Sequence, residues 1–268
     1  MPAVPPIEPR SAAACLHVGA SGLVFAVAAA ATIAWGLSMT AMGGMPMAGG
    51  WTMSMAWLPM CGQSWLETAG SFLGMWVVMM VAMMMPSLTP MLECYRRRIA
   101  GAASASLGQR TAIAGAGYFF VWTLFGVVLF PVGAGLAAAA MASPELSRTA
   151  PLAGGLVVLM AGALQFTEWK ARQLARCREA PEGKVGTAAN SAWRHGLHIG
   201  VRCCRSCAGP MAVLIVLGVM DLQAMAVVTA AITAERLAPD SVPIARATGA
   251  VAVAAGLLLI MRAALGLA

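Results

Sequence analysis

The fold class this sequence predicts is an all-α polytopic membrane protein: a bundle of about six to seven transmembrane helices with a cytoplasmic N-terminus. Three observations carry that expectation. The 268 residues are 60% hydrophobic and only 10% charged, against about 25% charged residues in a soluble domain. Uncharged runs long enough to cross a bilayer as helices recur along the chain. The excess of 17 Lys+Arg over 10 Asp+Glu is gathered into a few segments between those runs, as the positive-inside rule requires. No basic surface interleaved with aromatic residues is present, so nucleic acid is not an expected partner. Seven cysteines without secreted-type spacing argue against a disulfide framework.

Residues 1–20 read as a cytoplasmic tail and residues 21–268 as a single transmembrane helical domain. The first helix runs from about Ser21 to Met39 and is longer than the apolar core of a usual signal peptide, so it reads as a retained span. Residues 40–68 form an external loop without Lys or Arg, carrying Met42, Met45, Met47, Met53, Met55, Met60 and Cys61. Trp51, Trp57 and Trp65 suit headgroup depth. The second helix fills the uncharged run Ala69 to Leu92 and ends at Arg96-Arg97-Arg98. A third runs from about Ala112 to Gly135 and a fourth from Pro151 to Trp169, followed by a basic cytoplasmic segment, 170–195.

The next apolar run, Cys207 to Ala234, contains Asp221 and is too long for one comfortable span yet short for two. If helix five starts near Gly196, it ends at Met220, Asp221 lies in a tight outer turn and helix six covers Leu222 to Glu235. Helix seven is Pro243 to Leu265. With seven spans, all Lys and Arg except Arg148 and Arg262 fall on the cytoplasmic side; a six-span chain leaves Arg148, Arg236 and Arg246 outside.

Chemistry is concentrated in sulfur. Of the 21 methionines, 14 lie between Met39 and Met91. On helix two, Met75, Met79 and Met83 form one stripe, and Met80, Met84 and Met91 a second beside it. A thioether is a soft neutral ligand suited to Cu(I), and equally an adaptable filler of apolar contacts. Pro86 and Pro90 free backbone carbonyls that must find other partners or line a cavity. The external loop admits two readings: convergence of Met-x-Met pairs (45/47 and 53/55) on a soft ion, or a membrane-dipping segment anchored by methionine and tryptophan.

Gly196, Gly200, Cys203, Cys207 and Met211 fall on one helical face. They make either a small-residue packing seam or a soft-metal face with Cys204 adjacent, where Arg202 and Arg205 would favour thiolates. Cys-x2-Cys pairs are missing, which makes a zinc ribbon improbable. Asp221 is either a turn residue or a carboxylate that works on protons or metal. Glu168 reads as an interfacial ion-pairing residue. His17, His195 and His198 show no nucleophile–base arrangement, and no haem, quinone or flavin motif stands out, so an enzyme is not the expected class.

These blocks resemble the bacterial membrane proteins of the domain of unknown function DUF2182, described as predicted metal-binding integral membrane proteins. Trp76 through Ala82-Met83-Met84-Met85-Pro86-Ser87 to Pro90 is similar to the family's W-x-x-M-x-x-A-M-M-x-P-S signature. Gln165-Phe166-Thr167-Glu168-Trp169-Lys170 to Leu174 and Cys177-Arg178 is similar to its second block. Gly196, Gly200, Cys203, Cys207 and Met211, with Gly218, Met220 and Glu235, are similar to its third, which includes a later Glu-Lys. The chain departs from the pattern at Glu168, at Gln173, and at Ser206 and Ala208, so the resemblance implies a divergent member. It implies a bacterial inner-membrane location and adds Cys177 to the candidate ligands.

Two functions are therefore expected. The first is handling of a soft metal, Cu(I) above others, by binding, relay or transport. The external loop would collect the ion, Met75, Met79, Met83 and Met84 would pass it, and Cys177, Cys203, Cys204, Cys207 and Met211 would receive it inside. The second is a non-catalytic accessory subunit of a larger membrane complex, with the bilayer and other membrane-protein subunits as its partners.

Overall fold

The computed structural model describes residues 12–41, 43–59, 62–100, 106–178 and 189–266, with the side chains of 12–15 excepted. Among them are eight α-helices: α1 (Ala12–Ala41), α2 (Trp65–Ile99), α3 (Leu107–Ala142), α4 (Pro144–Leu164), α5 (Glu168–Arg178), α6 (Ala189–Leu217), α7 (Leu222–Leu237) and α8 (Ser241–Ala264). Six of these, all but α5 and α7, are long and apolar enough to cross a membrane. The chain is an all-α integral membrane protein.

Helices overrun the apolar runs because hydrogen bonding, rather than hydropathy, ends them. α2 begins four residues before Ala69, at a capping box in which the Ser64 hydroxyl accepts from Glu67 N and Glu67 Oε2 accepts from Ser64 N. It continues through Pro86 and Pro90 to Ile99. The Ser87 and Thr89 hydroxyls donate back to the Met84 and Met85 carbonyls across this stretch. The expected fourth helix stops at Leu164 rather than Trp169, and the segment expected to be soluble opens with α5, which turns Lys170, Gln173 and Leu174 inward. The rest of that segment through residue 188 lies outside the described residues.

Asp221 is a helix cap: its Oδ1 accepts from Gln223 N and Ala224 N at the start of α7. Gly218, at φ 123, makes the turn before it. α7 has 16 residues, about 24 Å of helix, which is shorter than the roughly 30 Å hydrocarbon core. It is a short return helix folded back along α6 and α2.

The bundle has two tightly packed helix pairs. In the first, α4 on α8, a Cβ at Gly162 would run into Val253 N and one at Gly256 into Leu159 N, so only glycine lets these backbones approach. In the second, α3 on α6, a Cβ at Gly196 would meet the Ala114 carbonyl and one at Gly200 the Tyr118 carbonyl. α2 lies beside α1, α3 and α7. It docks on α3 through Trp76, whose Nε1 donates to the Trp122 carbonyl while its ring lies over Gly126. α2 and α6 are bridged by side chains rather than close backbones: Met84 reaches Cys203, and Tyr95 stacks on His195 at 4.5 Å between ring centroids.

The methionine loop is folded. Met45–Pro46 pairs antiparallel with Thr52–Met53, placing Met45 opposite Met53, and a 3-10 turn follows at Met55–Trp57. Gly49 (φ 106) and Gly50 (φ 83) supply the left-handed backbone of the hairpin tip. The tip is fastened to α4, with Trp51 Nε1 donating to the Ser147 carbonyl and the Ser147 hydroxyl donating to the Ala48 carbonyl. Trp57 packs on Gly133 and Phe72. Met42, Met60 and Cys61 lie outside the described residues.

Candidate metal centre

All six methionines of the run Met75–Met85 are buried: Met75, Met79, Met80, Met83, Met84 and Met85. Met91, the last of the second stripe, is partly buried, and within the run contact rather than burial tells the stripes apart. It is Met84, of the second stripe, whose Sδ lies 3.9 Å from Cys203 Sγ. Cys207, one turn along α6, places its Sγ 3.8 Å from the same sulfur. Met84 and Cys203 are 0% exposed and Cys207 is 2% exposed.

Cys203 is the hub. Besides the two sulfurs, its Sγ meets the Tyr118 hydroxyl at 3.0 Å and receives Arg236 Nη1 at 3.0 Å. These four neighbours come from α2, α3, α6 and α7, so the centre exists only once all four helices have packed. Tyr118 is brought close because glycines at 196 and 200 draw α3 onto α6. One face of α6 thus does two jobs. Gly196 and Gly200 are the packing seam, and Cys203 and Cys207, one and two turns further on, are the thiol face.

The donor set fits a soft metal ion. With metal–sulfur bonds of about 2.3 Å, three sulfurs placed around one ion in a plane stand about 4 Å apart. The separations of Cys203 from Cys207 and from Met84 match that spacing without movement of the backbone. Two thiols and a thioether are soft ligands, of the kind that Cu(I) and other soft ions take. Among the described residues no group of three or more His, Cys, Asp or Glu comes together to hold a metal; the cluster reaches three donors only by including Met84.

The remaining candidates are placed differently. Met211 is buried two turns beyond Cys203 on α6, and Met75, Met79 and Met83 lie in the same core. Cys204 is half-buried at its edge. Cys177 on α5 donates to the Arg202 carbonyl at 3.6 Å. Arg202 itself turns to the Arg176 carbonyl, so the cation beside the thiol face is Arg236 rather than the expected Arg202 or Arg205.

A cavity of about 280 Å³ opens at the basic end of the bundle, between α2, α5, α6 and α7. Cys94, Cys177, His195 and His198 line it, and Arg236 and Ser87 border it where it approaches Cys203. Pro90 and Met91 also line it, so the proline-interrupted end of α2 does face a cavity.

A second buried cluster adjoins the sulfurs. Lys170 Nζ pairs with Glu235 Oε2 at 2.6 Å and donates to the Ser206 carbonyl at 2.6 Å. That carbonyl is free because Pro210, four residues on inside α6, has no N–H to offer it. Gln165 Nε2 and the Thr248 hydroxyl donate to Glu235 Oε1. The ion pair expected near Glu168 is thus made by Lys170 with Glu235, while Glu168 is exposed at the start of α5.

Spacing and composition assign no site role to Tyr118 or Arg236, and Ser87 and Lys170 enter only as members of the family-like blocks. Charged residues bordering apolar runs were read as flanks, although a Glu-Arg pair at membrane depth is itself a signal.

Comparison with known proteins bears on this centre. No curated protein and no solved structure matches the chain. The model of the PpoB2 family, described as a copper chaperone, matches residues 73–259, which include Met84, Tyr118, Lys170, Cys203, Cys207, Glu235 and Arg236. This match is to a copper-handling family related to DUF2182, the predicted metal-binding membrane family resembled in the sequence, under a different name. With soft donors converging inside a polytopic bundle and more than half of the chain matched, the protein belongs to the PpoB2 copper chaperone family.

Proposed function

We propose that this protein holds Cu(I) inside the membrane on Cys203, Cys207 and Met84 and passes it between the two ends of the bundle. The observation that carries the proposal is the sulfur spacing, 3.8 and 3.9 Å from Cys203 to its two neighbours. The copper chaperone description of the family supports the choice of metal.

Met80, fully buried one turn from Met84, extends the path along α2, and Met75, Met79 and Met83 continue the thioether lining toward the hairpin. Met45 and Met53, cross-strand partners there, are the outer donors. At the other end, the cavity with Cys94, Cys177 and two histidines is where the ion meets its carrier. Multiple thioether sites suit passage, because each binds weakly enough to release. By the positive-inside rule the cavity faces the cytoplasm, in the bacterial inner membrane that the DUF2182 resemblance implies. A chaperone delivers to a client, so an accessory place beside a copper-receiving membrane protein belongs to the same reading.

The test is Cu(I) binding by purified, reduced protein, with X-ray absorption at the copper edge. About one tightly held Cu(I) per chain in an all-sulfur environment is expected, and C203S/C207S should lose it. Unchanged copper content and affinity in that double variant would overturn the assignment.

A further inference from the structure

Arg236 is 9% exposed and has an unusual set of partners. Its Nη1 donates to Cys203 Sγ and to the Ser87 hydroxyl, each at 3.0 Å, and its Nη2 to Met91 Sδ at 3.4 Å. None of these is a carboxylate. The adjacent Glu235 points the other way and is consumed by Lys170, Gln165 and Thr248. A guanidinium keeps its charge at any physiological pH, and a buried ion without a counter-charge is costly. Among the described residues, the group positioned to supply one is the sulfur cluster.

We infer that Arg236 sets the charge of the ion this centre accepts, making it selective for a soft monovalent cation over a divalent one. The inference rests on the proposal that Cys203, Cys207 and Met84 are the ligands. A metal-bound thiol is deprotonated, so the loaded centre contains two thiolates and a neutral thioether. With a monovalent ion that unit carries one net negative charge, which Arg236 cancels. With a divalent ion the unit is already neutral, and the guanidinium is left uncompensated beside it. Lys170 and Glu235 cancel each other and do not alter the count. Soft sulfur ligands alone do not discriminate in this way, since Zn(II) and Cd(II) also bind thiolates well. Arg236 thus supplies a discrimination that ligand type does not.

The experiment uses full-length reduced protein in lipid nanodiscs, titrated with Ag(I), a monovalent soft ion that does not change oxidation state, and with Cd(II). Wild type should favour Ag(I) at the Cys203–Cys207 site. Arg236→Gln, which removes the charge and keeps hydrogen-bonding capacity, should shift the Ag(I)/Cd(II) preference toward cadmium by roughly a hundredfold. Arg236→Lys should restore most of the preference.

An unchanged ratio in Arg236→Gln, with both ions still dependent on Cys203 and Cys207, would overturn the role given to Arg236. Should the variant not fold, the wild-type protein still decides, because equal affinity for the two ions at that site contradicts the inference. Ag(I) binding that persists undiminished in C203S/C207S would instead remove the ligand assignment beneath it.

Discussion

Glu235 and Arg236 are neighbours on α7, yet they belong to two regions of opposite character. Glu235 closes a fully paired polar lock: Lys170, Gln165 and Thr248 satisfy it, and the lysine also occupies the carbonyl that Pro210 leaves open. Arg236 faces a thiol, a thioether and a hydroxyl. The lock ties together the C-cap of α4 with α5, α6, α7 and α8, and its two charges are paired with each other. The sulfur cluster has weakly bonded groups around one cation that, among the described residues, meets no carboxylate, which suits a guest. The lesson of the contrast is that burial of a charge marks function when its partners are incomplete, and structure when they are complete.

That contrast can be broken most directly at the lock. Lys170→Met leaves Glu235 buried without a counter-charge and should lower stability by about 3–5 kcal/mol, because breaking a buried pair strands the other ion. Thermal unfolding in detergent measures this. The double variant K170M/E235L should recover much of the loss, since apolar replacement of a whole pair is often close to neutral. Ag(I) binding by the folded fraction should stay near wild type in both. A large loss of binding would mean that lock and cluster are one unit.

On the sulfur side, Met84→Leu conserves volume and should cost less than about 1.5 kcal/mol of stability. Removal of the third soft donor should weaken Ag(I) by about tenfold, or about 1.4 kcal/mol, as read by competition with a chromophoric chelator. Met211→Leu, buried further along α6 and outside the three-sulfur contact, should change binding far less; equal effects would blur the boundary drawn around Met84.

The smallest effect is expected at the far end. Ser147→Ala removes the hydroxyl that holds the hairpin at Ala48 and should cost about 1 kcal/mol, the ordinary worth of one hydrogen bond. It should leave equilibrium binding at Cys203 and Cys207 untouched, and slow loading only when the ion enters from the hairpin side. Stopped-flow uptake in vesicles separates these two readings.

Much of the molecule was legible before folding was considered. Lipid demands apolar surface and internally satisfied backbone, so composition and charge segregation alone dictate a polytopic helical bundle and locate most of its spans. The methionine run was recognisable by its spacing, and Cys203 and Cys207 by theirs. The hairpin was not, because two-residue strands have no periodicity to read; nor was α5, whose inward face is Lys170, Gln173 and Leu174 rather than an apolar stripe.

What sequence alone determined, then, is which residues are soft donors and that the methionine run lies on an apolar helix: both follow from side-chain chemistry and local period. Only tertiary structure decided which of them meet. Met84, Tyr118, Cys203 and Arg236 are separated by 34, 85 and 33 residues along the chain. Their convergence depends on Gly196 and Gly200 drawing α3 against α6, and on a return helix, α7, bringing one cation to one thiol. Helix-to-helix register of that kind arises from packing, and no local pattern encodes it.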